Sequence, residues 1–167
     1  MVAAGAGAGV LMVQDRRTSG AYVEDEAIEA KAFDRLGKQF KDTVHVNVTS
    51  YNRNVLITGE VPDEDTKAQV EHTVANILNV RKIYNELEIS GLSSLTSRSN
   101  DALITSNVKL RFVADKRFSA NSIKVVTENG TVYLMGIVNH QEAHAAAVVA
   151  SGSQGVSRVV ELFEYVE

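Results

Sequence analysis

A seven-residue stretch occurs twice in this chain. Val55-Leu56-Ile57-Thr58-Gly59-Glu60-Val61 is matched by Val132-Tyr133-Leu134-Met135-Gly136-Ile137-Val138, 77 positions later. Asn79-Val80-Arg81-Lys82-Ile83 is matched by Gly155-Val156-Ser157-Arg158-Val159 at an offset of 76, so one residue is lost in the second copy's helix region. Upstream, Asp25-Glu26-Ala27-Ile28 corresponds to Asp101-Ala102-Leu103-Ile104. A repeat this long means one supersecondary unit built twice, each copy with its own apolar core. The expected organisation is a flexible tail over 1–23, module 1 over 24–89, a Ser/Gly/Thr-rich linker over 90–99 and module 2 over 100–167.

Within a module the pattern reads α-β-β-α-β. Ile28, Ala32 and Leu36 fall at i, i+4 and i+8, one face of a helix expected over 24–40. Val44, Val46 and Val48 alternate with His45, Asn47 and Thr49, which is the period of a half-buried strand. Asn129-Gly130 is a strong hairpin signal because both residues tolerate positive φ. Asn139, followed three residues later by Glu142, fits a capped helix start. The fold class expected is α+β: two tandem modules, each with two helices packed on a small mixed three-stranded sheet. Tyr133, Met135 and Ile137 make the second module's sheet apolar on its outer face too, so that face is expected to pack against the other module or the linker. Gly59 and Gly136, recurring inside strands, are assigned a structural role, as places where a helix packs closely over the sheet.

These residues and their order resemble the BON domain, and two in tandem resemble the dual BON-domain outer-membrane lipoproteins of Gram-negative bacteria, the DolP/YraP type. The resemblance is most specific at Asp15-Arg16-Arg17-Thr18-Ser19-Gly20, at Asn100-Asp101 through Ile104-Thr105, and at Thr127-Glu128-Asn129-Gly130 through Met135-Gly136. It covers nearly the whole chain. It implies a protein on the periplasmic face of the outer membrane, supporting envelope integrity and, in the division-site type, binding anionic phospholipid through the first helix of the second BON domain. The family's lipidated cysteine belongs just before the Ala/Gly-rich tail, where Met1 stands, so the anchor is expected outside this sequence.

That helix has a physical signature of its own. At about 100° per residue, with Ile104 at zero, Val108 and Phe112 fall near 40° and 80°. Leu103, Leu110 and Val113 fall near 260°, 240° and 180°, almost opposite. The corresponding residues of module 1 are Ala27, Asp34 and Gly37. From Asp101 to Phe118 four basic residues stand against two acidic ones, a net of +2; from Glu24 to Lys41 four stand against five, a net of −1. An apolar ridge flanked by cations suits the interface of an anionic leaflet. The lipid-facing set expected is Leu103, Asn107, Lys109, Leu110, Arg111 and Val113, and the partner is a phosphatidylglycerol-like membrane surface. The ridge could instead cover module 1, or recruit envelope proteins in an adaptor that does not touch lipid.

Other chemistry is weakly represented. The net charge of −4 lacks the basic excess of a nucleic-acid binder. There is no cysteine, hence no thiolate nucleophile and no Cys-ligated zinc. Val2–Val13 is too short to span a bilayer, which takes about 20 apolar residues. His140 and His144 stand at i, i+4 but lack the Glu directly after the first His that a zinc protease needs. No phosphate loop or nucleophile–base pair is present, so the chain reads as non-enzymatic, with no cofactor and no metal site.

Overall fold

A computed structural model describes residues 15–166, so most of the expected tail lies outside the described residues. The chain divides into two compact units, Thr18–Ser94 (module 1) and residues 95–166 together with 15–17 (module 2). Module 1 runs α1 (Ser19–Phe40), a 3-10 turn (Lys41–Thr43), β1 (His45–Tyr51), β2 (Asn54–Val61), α2 (Glu64–Ala75), β3 (Lys82–Asn85) and β4 (Glu88–Ile89). Module 2 runs α3 (Leu95–Ala114), a 3-10 turn (Ala120–Ser122), β5 (Ile123–Glu128), β6 (Thr131–Val138), α4 (His140–Ser151) and β7 (Arg158–Tyr165). The α-β-β-α-β order is the one the repeat implied.

In each module the middle strand pairs antiparallel with the strand before it and parallel with the one after the second helix. Module 2 has the expected three strands, in the order β5-β6-β7. Module 1 has four, because its last strand is split. Both β3 and β4 pair with β2 in one continuous register, Ile57 opposite Asn85 and Glu60 opposite Glu88. Between them the Glu86 amide still reaches the Ile57 carbonyl at 2.9 Å, while the Asn85 side chain takes the Leu87 amide at 3.3 Å. Both α2 and α4 have twelve residues and follow caps at Asp63 and Asn139. The residue missing from the second copy is therefore lost ahead of the helix, where module 1 has Val61-Pro62-Asp63 and module 2 has Val138-Asn139. Asn139 and Glu142 form the full capping box.

Two helices begin earlier than the apolar pattern shows. α1 starts at Ser19, capped by the Thr18 hydroxyl on the Ala21 amide at 3.0 Å. α3 starts at Leu95, inside the expected linker. After Gly91 no Gly or Pro interrupts the chain through Phe118, so its Ser and Thr residues weaken a helix without breaking it.

The cores follow the repeat. Ile28, Ala32, Leu36, Val55, Ile57 and Val61 anchor one cluster; Ile104, Val108, Phe112, Val132, Leu134 and Val138 anchor the other. Tyr133 and Met135, on the outer face of β6, are also buried, and Ile137 is half-buried. Gly59 and Gly136 are required by close backbone approach. The approaching backbone, however, is that of the preceding hairpin arm rather than a packed α-helix: β1 at Gly59, and the last residue of the 3-10 turn leading into β5 at Gly136. A Cβ at Gly59 would lie 1.9 Å from the His45 carbonyl oxygen, and one at Gly136 would lie 2.4 Å from that of Ser122. Gly59 also holds φ +122°, which L residues rarely adopt.

A carboxylate ties the first helix of each module to its hairpin. Both turns place two residues at positive φ: Asn52 and Arg53, then Asn129 and Gly130. Their amides point away from the ladder and need acceptors. Asp25 accepts from the amides of Asn52 and Arg53, each at 2.7 Å, and from the Ser50 hydroxyl at 2.7 Å. Asp101 accepts from the amides of Asn129 and Gly130, each at 2.9 Å. Both aspartates are buried. Asp101→Ala strands two amides and should lower stability by about 2–3 kcal/mol in urea unfolding of the full chain; a loss below about 0.5 kcal/mol would show that the contact is incidental.

Candidate membrane-binding surface

α3 buries one stripe and exposes the opposite one. Ile104, Val108 and Phe112 are enclosed, whereas Leu103, Leu110 and Val113 are 64%, 69% and 66% exposed. The three ridge residues expected from the helical wheel therefore share an open face. Leu95, 79% exposed, joins them, because it lies on the same bearing as Val113 at 100° per residue. Sequence reading missed Leu95 by placing it in a linker; its i, i+8 spacing to Leu103 was the available signal. From Leu95 to Val113 the ridge spans nineteen residues, about 27 Å along the axis.

The polar members of the set separate. Asn107 and Lys109 are exposed beside the ridge. Among the described residues Lys109 and Lys116 make no ion pair. Asp115 is taken by Arg117 at 2.6 Å, and the hydrogen-bonded guanidinium holds that carboxyl down to about 2. Arg111 is employed differently. Its guanidinium donates to the Val149 carbonyl at 2.9 Å and to the Ser153 hydroxyl at 3.0 Å, closing the last turn of α4. A cation there satisfies orphan carbonyls and opposes the negative end of the helix dipole.

α1 presents a different outer face. Phe33 is 84% exposed, an aromatic the sequence comparison with module 1 overlooked, and Val23 is exposed as well. Glu26 stands two turns before Phe33, within about 20° of its bearing, whereas the half-buried Glu29 accepts the Ser50 amide at 2.8 Å. A carboxylate beside an apolar group is itself repelled by an anionic leaflet and opposes insertion there. Hydrophobicity alone does not distinguish the two helices; its combination with charge does.

Arg16 ties the residues ahead of α1 to module 2. Arg16 reaches both oxygens of Glu142, at 2.6 and 2.8 Å, and the Ile137 carbonyl at 2.9 Å. The Glu142 carboxyl is lowered, first by that Arg16 contact and also by the Asn139 amide. The first turn of α4 is thus held from two sides. No described helix is long and apolar enough to cross a membrane.

Comparison with known proteins gives a consistent pattern. A family profile described as the BON domain matches residues 24–91 and 100–167. Over 155 residues the chain is 37% identical to a protein of Haemophilus influenzae named outer membrane lipoprotein DolP, covering 92% of this chain and 80% of that protein. It is 34% identical, with the same coverage, to a protein of Actinobacillus pleuropneumoniae named 21 kDa hemolysin. It is 25% identical over 145 residues to the osmotically-inducible protein Y of Escherichia coli, covering 84% of this chain and 72% of that one.

The contact made by Arg111 gives it a stability role. Arg111→Gln should cost about 1–2 kcal/mol in denaturant unfolding, with hydrogen exchange accelerated at the C-terminal turn of α4; unchanged exchange there would remove the helix-closing role.

Proposed function

The chain belongs to the dual BON-domain family of the DolP type, and we propose that it is a non-catalytic envelope lipoprotein that adsorbs to anionic phospholipid through the outer face of α3. The observation that carries this reading is the open ridge of Leu95, Leu103, Leu110 and Val113 beside Lys109 and Asn107. A relative named as an outer membrane lipoprotein supports placing the protein on the periplasmic face of that membrane, held by an N-terminal lipid. Its contribution there is to envelope integrity, with division-site localisation as the family's narrower role.

Magnitudes describe how such a surface works. Full burial of an aliphatic side chain is worth about 1.5–3 kcal/mol, and insertion at an interface realises part of that. Each nearby cation adds about 1 kcal/mol on an anionic leaflet. Ordering and lost freedom oppose both. The sum is weak, reversible adsorption, which a lipid anchor makes effective by raising the local concentration. Arg111 is excluded from the cation count because α4 occupies it.

Sedimentation of the full chain with phosphatidylglycerol vesicles, beside phosphatidylcholine vesicles, tests the reading. Binding should favour phosphatidylglycerol; Leu103→Glu should weaken it about tenfold or more while leaving the fold intact. Leu95→Glu should act in the same direction, and Phe33→Glu should change little. Undiminished binding by folded Leu103→Glu would move the contact elsewhere. Absence of vesicle binding by the unmutated chain would favour the protein-adaptor role.

A further inference from the structure

A groove of about 550 Å³ opens beside the first turn of α4, lined by Arg117, His140, Gln141, His144 and Ala145. His140 and His144 are four residues apart on the helix, so their rings stand on one face. The His140 ring lies nearly parallel to that of Tyr165 on β7, with centroids 4.2 Å apart and planes 14° from each other. That stacking sets its direction. Arg117 gives Nε and Nη2 to the Asp115 carboxylate at 3.0 and 2.6 Å, which fixes the guanidinium plane and leaves Nη1 uncommitted. Among the described residues, neither imidazole nor the Gln141 carboxamide takes part in a hydrogen bond.

The lining is a set of donors without a carboxylate. Asp115 is occupied by Arg117, and Glu142, two residues after His140, is occupied by Arg16 and the Asn139 amide. Two imidazoles at i, i+4 can grip a metal ion, but among the described residues no third Asp, Glu or His gathers with them, and a guanidinium shares the wall. Divalent cations prefer more ligands and no cation beside them. Oxyanions fit the opposite description: N–H donors from two parts of the chain lining one groove, one of them a guanidinium. The volume exceeds what a bare phosphate needs, and Ala145 offers an apolar floor for a carbon substituent.

We infer that this groove is a binding site for a phosphate ester, held by Arg117, His140, His144 and the Gln141 side chain. Arg117 follows the last ridge residue, Val113, by four positions, so the ester is drawn either from a lipid headgroup or from a soluble metabolite. The assignment stands apart from the ridge: either can fail without the other.

The test follows the His140 and His144 imidazole resonances of the full chain during titration with glycerol 3-phosphate, with sodium chloride at matched ionic strength as control. Saturable shifts of both rings should occur with the ester and not with chloride. Arg117→Gln should weaken the response about tenfold, and His140→Gln with His144→Gln, read at the Gln141 amide, should weaken it as well. Leu103→Glu should leave it unchanged, separating groove from ridge. If glycerol 3-phosphate also displaces the protein from phosphatidylglycerol vesicles, the natural ester is a lipid headgroup; if it saturates the groove while vesicle binding persists, the ester is soluble. No saturable shift, an equal response to chloride, or an undiminished response in folded Arg117→Gln would overturn the assignment.

Discussion

A buried carboxylate on the core face of each leading helix fixes everything else. On the helical wheel Asp101 lies among Ile104, Val108 and Phe112, and Asp25 lies among Ile28, Ala32 and Leu36. A charge in that stripe is tolerable only if it is fully hydrogen-bonded, and the turn amides of the adjacent hairpin supply the donors. The contact is mutual, because those amides have no ladder partner. It therefore sets the rotation of the helix about its own axis more narrowly than apolar packing could. With the core stripe so fixed, the bearing of Leu95, Leu103, Leu110 and Val113 can only be outward.

The repeat thus provides one scaffold with two outer faces. Both modules share the aspartate, the positive-φ hairpin and the glycine against the preceding hairpin arm. They differ where the scaffold leaves freedom: Phe33 near Glu26 on α1, an aliphatic ridge beside Lys109 on α3. Core positions also vary, Ala32 and Leu36 against Val108 and Phe112, but stay apolar; the contrast in charge lies on the outer faces. Arg111 qualifies that contrast, since a residue on the exposed side of α3 still serves α4.

Much of this was legible in the sequence, for local reasons. Asn129-Gly130 announces its turn because few other residues accept positive φ, and the Asn139–Glu142 capping box spans only three positions. The period of Ile104, Val108 and Phe112 shows which face of α3 turns inward. What was missed depends on distant partners or on weak signals. α3 begins in a Ser-rich stretch that composition assigns to a linker, and Leu95 was lost with it. The split between β3 and β4 falls at Glu86-Leu87 within one continuous register, and no residue type there announces it. The approach to Gly59 and Gly136 comes from strand pairing, which a single segment does not reveal. The partners of Arg111, Val149 and Ser153, lie about forty residues away, so its charge reads as available until the fold is assembled.

On the proposed reading α3 meets the bilayer with the side its core leaves open. Paramagnetic broadening from spin-labelled lipid in phosphatidylglycerol nanodiscs, read amide by amide on the full chain, measures that orientation directly. Broadening should concentrate at Leu95, Leu103, Leu110 and Val113 and leave the outer face of α1 around Phe33 sharp. Bound protein whose broadening centres on α1, or spreads evenly over both modules, would contradict the account.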